Sequence, residues 1–259
     1  MTAVVEGSFI ALAVLAAVVG VLSAYAVRVA LSGRVVSPRL DAERGTPLLG
    51  RYPIEAFHWV VRLVGRSLVH TGVSPDALTV LSLLFAACTI PLAATGHFEA
   101  AGMTLLVGSA FDALDGIVAR ERQVASDAGE MLDAVVDRYA DAFPLIGLAV
   151  FYRESMWKLC IVVTALVGSM MISYVRAKAE TFGLKLPGGL MRRPERIAYL
   201  CAALTLGRLL SSWIVPSDDS RPVTLALVGL VGVVSNIAAL QLLIEARSQL
   251  RRRGSGEGP

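Results

Sequence analysis

The sequence predicts an all-α integral membrane protein. It has a bundle of six transmembrane helices, preceded by an extra N-terminal transmembrane helix and an amphipathic helix in the membrane interface. Three observations predict this. Of 259 residues, 55% are hydrophobic and only 17% charged, with a mean hydropathy of +0.65. An ordinary soluble domain has about 45–50% apolar and about 25% charged residues. Several runs reach about 20 apolar residues, the length that spans a bilayer as a helix. The basic residues gather at alternate ends of successive runs.

The first span runs from Phe9 to about Leu31. No basic residue precedes it and it is long, so it reads as a retained helix rather than a secretory signal. Residues 32–52 are polar and Arg-rich, with Pro38 and Pro47, and read as a loop. From Pro53 to about His70, apolar Ile54, Phe57, Val61, Val64 and Leu68 recur at helical spacing. Glu55, Arg62 and Arg66 lie elsewhere on the wheel. That pattern fits an interfacial helix; it also fits a surface helix packed on the protein. Six further spans follow at about 76–96, 98–121, 129–152, 156–181, 194–215 and 222–246. Turn-like breaks separate them, such as Thr95-Gly96-His97 and Pro216-Ser217-Asp218-Asp219.

Twenty of the 24 Lys and Arg residues fall in segments 28–66, 120–138, 176–196 and 247–253. These segments lie on one side of the predicted bundle. The positive-inside rule places that side in the cytoplasm and the N-terminus outside. Arg153, Lys158 and Arg221 are left for the opposite side, and Arg208 falls inside a span. The net charge of +3 gives no argument for nucleic acid. Cys88, Cys160 and Cys201 are far apart in apolar runs and suit neither a disulfide framework nor a zinc site. Trp59, Trp157 and Trp213 lie near span ends, as interfacial aromatics do. His58, His70 and His97 are scattered.

The chemistry is concentrated between residues 112 and 137. Asp112 and Asp115 stand three apart at the cytoplasmic end of one span. Asp133 and Asp137 stand four apart at the start of the next. Both spacings put two carboxylates on one helix face, and the short connection makes the helices neighbours. An Asp at the bilayer centre costs roughly 2.5–3.5 kcal/mol. Four unpaired would cost on the order of 10–14 kcal/mol, as much as the stability of a domain. They must lie near the interface or be neutralised, and hard divalent cations with oxygen ligands do this well. Four carboxylates suggest two metals clamping a phosphoryl group. Gly116 and Gly129 allow close approach of a bulky ligand. Arg120 can grip phosphate oxygens, and Ser126 can add a hydroxyl. Helix capping or pairing with Arg120, Arg122 and Arg138 would explain single aspartates, but not all four at these spacings. Asp141, one turn beyond Asp137, reads as a structural partner.

The pattern Asp-x2-Asp-Gly-x2-Ala-Arg-x8-Gly-x3-Asp-x3-Asp resembles the signature of the CDP-alcohol phosphotransferases over about residues 54–247. That resemblance implies a membrane-embedded transferase that moves a phosphoalcohol from a CDP-linked donor to a hydroxyl and releases CMP. It implies Asp112, Asp115, Asp133 and Asp137 as ligands of two Mg²⁺ or Mn²⁺ ions, with Asp137 also the general base. It implies Gly116, Arg120, Ser126 and Gly129 as nucleotide and diphosphate contacts. Ser74-Pro75-Asp76 opens the first core helix, an ordinary helix start. In the family this position borders the cytidine site, which adds Asp76 and Thr79. It also implies a homodimer.

Tyr174-Val175-Arg176-Ala177-Lys178-Ala179-Glu180, with Arg193-Pro194-Glu195-Arg196 downstream, resembles the phosphatidylinositol phosphate synthases within that family. The resemblance implies CDP-diacylglycerol as donor and inositol 1-phosphate as acceptor, the acceptor phosphate held by Arg176, Lys178, Arg193 and Arg196. Arg176 replaces a more usual Lys, and Arg192 stands where an acidic residue is common. Glycerol 3-phosphate or another phosphorylated alcohol is the alternative acceptor. A transporter using the aspartates as an ion path is the remote alternative. The expected organisation is residues 1–52 as N-terminal helix and Arg-rich loop, 53–248 as catalytic domain and 249–259 as a basic tail. The expected location is the inner (plasma) membrane with the site facing the cytoplasm. Deleting residues 1–31 is expected to spare the chemistry.

Overall fold

The computed structural model describes residues 2–33, 48–214 and 221–254. Most of the Arg-rich loop with Pro38 and Pro47, the Pro216–Asp219 turn and residues 255–259 lie outside the described residues. The described residues are helical apart from short connections. The helices are α1 Thr2–Ser32, α2 Tyr52–Val69, α3 Pro75–Ala94, α4 Phe98–Glu121 and α5 Asp127–Phe151. They continue as α6 Met156–Thr181, α7 Arg193–Thr205, α8 Gly207–Ile214 and α9 Pro222–Gly254.

Five helices are long and apolar enough to cross a membrane: α1 from Phe9, α3, α4, α6 and α9. The predicted span at 129–152 forms as α5, of sufficient length at 25 residues. Its first 15 residues carry Asp127, Glu130, Asp133, Asp137, Arg138 and Asp141, which lowers its hydropathy. The predicted span at 194–215 is a correction: it forms two helices, α7 and α8, interrupted at Leu206. A Cβ at Gly207 would collide with the Thr224 hydroxyl oxygen. The break therefore seats Gly207 against the start of α9. A second correction concerns the C-terminus. Arg251, Arg252 and Arg253, expected in a tail, belong to α9. Arg253 donates to the carbonyls of Phe182 and Gly183, each at 3.0 Å, and ties α9 to the end of α6.

The core runs through the bundle. Phe98, Leu105, Leu145, Leu148, Val162, Leu200, Leu204, Val228 and Val231 are buried together from α4, α5, α6, α7 and α9. Small residues set the closest approaches, as in other membrane bundles. A Cβ at Gly147 of α5 would lie 2.8 Å from the Ile90 carbonyl oxygen of α3. The outer surface keeps Leu84, Val163, Val167, Val233 and Leu240 exposed, the arrangement a lipid environment favours.

The start of α3 is capped as its sequence dictates: the Ser74 hydroxyl accepts from the Ala77 N–H at 3.2 Å, with Pro75 in the first turn. Ser126 does the same for α5, accepting from the Gly129 N–H at 3.1 Å. Helix α2 packs on α4, with Val61, Phe57 and Leu68 against Leu114 and Ile117; Leu63 and Val64 face outward. Arg122, just past α4, donates to the carbonyls of Leu68, Val69 and Val73 and so closes the end of α2. Helix α1 joins through aromatics: Tyr25 packs against Tyr52 and Trp59 and donates to Glu55 at 3.1 Å. Tyr52 donates to the Leu22 carbonyl at 2.7 Å. At the opposite end of the bundle Arg221 is buried, 4.0 Å over the Phe98 ring, and donates to the Gly96 carbonyl at 2.8 Å.

Candidate active site

One helix end and two helix starts form the site. Asp112 and Asp115 lie on the last turns of α4, and Asp133 and Asp137 on the first turns of α5. Residues 122–126 turn the chain between them, so the two acidic faces meet. Asp112, Asp133 and Asp137 each offer one carboxylate oxygen, and the three oxygens lie within 4.8 Å of one another. Asp115 sits beside this group in a different bond: it is buried, and its Oδ2 accepts from the Thr79 hydroxyl at 2.5 Å. That bond links the start of α3 to the end of α4.

The third contribution comes from α7. Arg193 forks onto Asp112, with Nη1 at 2.8 Å from Oδ2 and Nη2 at 3.1 Å from Oδ1. Its Nη2 also lies 2.6 Å from Asp137 Oδ1, and its Nε lies 3.5 Å from Asp141 Oδ1. Arg196, one turn on, is 3% exposed and donates to Asp141 Oδ2 at 2.6 Å and to the Met191 carbonyl at 3.2 Å. Two guanidinium charges are thus shared among Asp112, Asp137 and Asp141, with Asp133 alongside. Carboxylates outnumber guanidinium groups where the oxygens converge. Such a set of oxygen donors fits a hard divalent cation.

The other sequence-predicted residues fall around this centre. Asp76 is exposed at the start of α3, and a Cβ at Gly129 would lie 3.9 Å from its Oδ1 and 3.4 Å from the Ser126 hydroxyl. Asp76, Ser126 and Gly129 therefore gather at one point. Arg120 folds back over Gly116: a Cβ there would lie 3.0 Å from its Nη1. Of the four cations expected at the acceptor, the structure brings Arg193 onto the aspartate group. Arg196 faces Asp141. Arg176 reaches the Pro187 carbonyl at 3.4 Å. Lys178 is exposed, with Nζ 5.4 Å over the Phe182 ring.

Sequence reasoning passed over Glu195 and the bonds of Arg122. The Glu195 side chain has no exposure and accepts from three backbone N–H groups. Its position three residues after Arg192, at the start of a helix, was the available signal.

The family profile described as CDP-alcohol phosphatidyltransferase matches residues 72–240. The chain belongs to the CDP-alcohol phosphatidyltransferase family. This phosphatidyltransferase is a multi-pass membrane enzyme of phospholipid biosynthesis. It is 32% identical over 209 residues to the phosphatidylinositol phosphate synthase of Mycobacteroides abscessus, covering 78% of this chain and 93% of that one. It is 35% identical over 146 residues to the archaetidylinositol phosphate synthase of Pyrococcus horikoshii, covering 54% and 73%. Among solved structures, it resembles the Mycobacterium tuberculosis phosphatidylinositol phosphate synthase with CDP-DAG bound. The TM-score is 0.63 and the identity 28%, over 72% of this chain and 93% of that one. The same enzyme in complex with manganese and citrate gives a TM-score of 0.62 at 29% identity, covering 72% and 88%. The matched region starts before α3, so α1 and α2 lie ahead of it.

Proposed function

We propose that this phosphatidyltransferase moves the phosphatidyl group of CDP-diacylglycerol onto a hydroxyl of inositol 1-phosphate, giving phosphatidylinositol phosphate and CMP. The convergence of the Asp112, Asp133 and Asp137 oxygens beside Arg193 carries the reading. The names of the relatives, and the CDP-DAG and manganese of the M. tuberculosis structures, support donor, acceptor and metal. In this reading Asp112, Asp115, Asp133 and Asp137 hold two Mg²⁺ or Mn²⁺ ions. When bound, these ions would neutralise charge on the diphosphate and orient it. Asp137 takes the proton from the acceptor hydroxyl. That oxygen forms the new bond to the phosphorus bearing the diacylglycerol. The bond from that phosphorus to the CMP oxygen breaks, and CMP leaves with the electron pair.

Asp76, Thr79, Gly116, Arg120, Ser126 and Gly129 surround the donor end. Their clustering at the starts of α3 and α5 and the end of α4 supports one binding face. Arg193, Arg196, Arg176 and Lys178 form the acceptor end, a cationic set suited to a phosphorylated alcohol. The distribution of basic segments supports a face on the cytoplasmic side of the plasma membrane. The working form is a homodimer, by analogy with the family.

The test is CMP release by purified protein with CDP-diacylglycerol and Mg²⁺, against inositol 1-phosphate, glycerol 3-phosphate, free inositol and serine in parallel. Release with inositol 1-phosphate alone is expected. Release only with another acceptor would overturn the acceptor and leave the aspartate roles standing. Metal removal gives a second expectation. Chelation should abolish release, and Mn²⁺ should restore it. Mn²⁺ at a hundredfold its dissociation constant should also stabilise the folded protein by about 2.7 kcal/mol, seen as a raised melting midpoint in detergent. An unchanged midpoint and release in excess chelator would remove the metal from the site.

A further inference from the structure

We infer that Glu195 is a positioning residue that straps the segment ahead of the matched family region onto the helix carrying Arg193 and Arg196. The inference rests on the acceptor end being built from α7, as proposed above. Three backbone N–H groups converge on this one carboxylate. Oε1 accepts from Leu48 at 2.8 Å and Leu49 at 3.2 Å, and Oε2 accepts from Arg192 at 2.8 Å. The first two lie almost 150 residues away in the chain, immediately before α2; the third is the residue that opens α7.

The geometry divides the first turn of α7 by direction. Arg193 and Arg196 turn toward Asp112, Asp137 and Asp141. Glu195 turns toward the other side, where residues 48 and 49 pass. Tyr199, one turn further along, adds a bond from its hydroxyl to the Leu48 carbonyl at 3.4 Å. The strap is anchored at its own far end. Tyr52, three residues past Leu49, is bonded to Leu22 of α1, and Glu55 is bonded to Tyr25 and lies 3.5 Å from Arg51. A continuous set of contacts thus runs from α1 through residues 48–55 to the turn that aims Arg193. A carboxylate in the first turn of a helix is also favoured by the helix dipole. A buried polar group that loses its partners is costly, so the strap and the helix turn hold each other in one arrangement.

The consequence is kinetic. Without Glu195 the first turn of α7 has more freedom, and Arg193 and Arg196 no longer present a fixed pair of cations. The acceptor should bind less well, while the donor face at α3 and α5 is untouched. It also bears on the expectation that deleting residues 1–31 spares the chemistry, because Leu22 and Tyr25 of α1 anchor the strap.

The experiment uses full-length protein with Glu195→Ala and Glu195→Gln. Glutamine keeps one oxygen for Leu48 and Leu49 and loses the acceptor for Arg192. Michaelis constants are measured for the acceptor that the wild-type panel identifies and for CDP-diacylglycerol. Backbone hydrogen exchange is followed over residues 48–55 and 190–200. Glu195→Ala should raise the acceptor constant about tenfold with the donor constant within about twofold, and Glu195→Gln about threefold. Exchange should speed up in both segments and stay unchanged in α3 and α5. If Glu195→Ala does not fold, the Glu195→Gln split decides alone. Equal changes in both constants, or exchange at residues 48–55 unaffected by either variant, would overturn the inference. Wild-type protein inactive with every acceptor would instead overturn the proposed function, and the exchange arm would still report whether the strap exists.

Discussion

In an Asp137→Asn variant, CMP release falls by about a thousandfold, within the range a general base contributes, while the protein folds and still binds donor. Asparagine has the same shape and keeps an oxygen for Arg193, which lies 2.6 Å from the wild-type carboxylate. What it loses is charge and basicity. The side chain is proposed in two roles, and a titration separates them. If the loss came only from weakened metal binding, a large excess of Mn²⁺ would restore turnover. If the proton acceptor is gone, saturating metal leaves the rate low. Wild-type turnover at ordinary metal concentrations would end the proposal for Asp137 in both roles.

The largest effect on stability is expected from Arg196→Ala. Arg196 and Asp141 meet at 2.6 Å with each side chain 3% exposed. Removing the cation leaves a buried carboxylate whose other cationic contact is Arg193 Nε at 3.5 Å. Breaking such a pair costs about 3–5 kcal/mol, a large share of the roughly 5–15 kcal/mol that holds a domain together. A detergent denaturation midpoint should fall accordingly. The double variant Arg196→Met with Asp141→Leu should recover part of the loss, because no unpaired charge is then buried. Among molecules that remain folded, the acceptor constant should rise more than the donor constant. A midpoint within error of wild type would show that Arg196 is not held as a buried partner. Equal kinetic effects would shift acceptor binding to Arg193, Arg176 and Lys178.

The fold was legible in the sequence wherever apolar runs reached membrane length. The starts of α3 and α5 were legible from Ser74-Pro75 and Ser126. The break at Leu206 was not, because apolar residues dominate on both sides of it, from Ile197 to Leu206 and from Leu209 to Val215. What divides them is the contact of Gly207 with Thr224, fifteen or more residues downstream, and periodicity carries no information about such a contact. The helical state of Arg251–Arg253 was hidden for a related reason: a basic run reads as a solvated tail until the Phe182 and Gly183 carbonyls appear beside it.

The aspartates were legible from spacing alone, since both pairs share a helix face whatever the tertiary structure. How they divide was not. Asp115 turns to Thr79 on another helix, whereas Asp112, Asp133 and Asp137 turn to one another. Arg196 and Arg193 look equivalent as text, three positions apart in one basic run. The structure puts Arg193 over the aspartate group and Arg196 against Asp141. Glu195 was masked by the same run, where a single acid among three arginines reads as local charge balance.

The contact between Gly147 and the Ile90 carbonyl has a consequence for how such a sequence can drift. A methyl group at 147 would meet backbone, which has no rotamer to change, so α5 itself would have to tilt away from α3. Asp133 and Asp137 ride in the other half of that rigid rod. A displacement at Gly147 becomes a shift of those carboxylates relative to Asp112 on α4, and metal coordination tolerates only a few tenths of an ångström, about ±0.2 Å. The lipid-facing residues of α5 can exchange among themselves with little effect. Position 147, nearly three helical turns from Asp137 and touching no part of the chemistry, is bound to its present occupant by leverage alone.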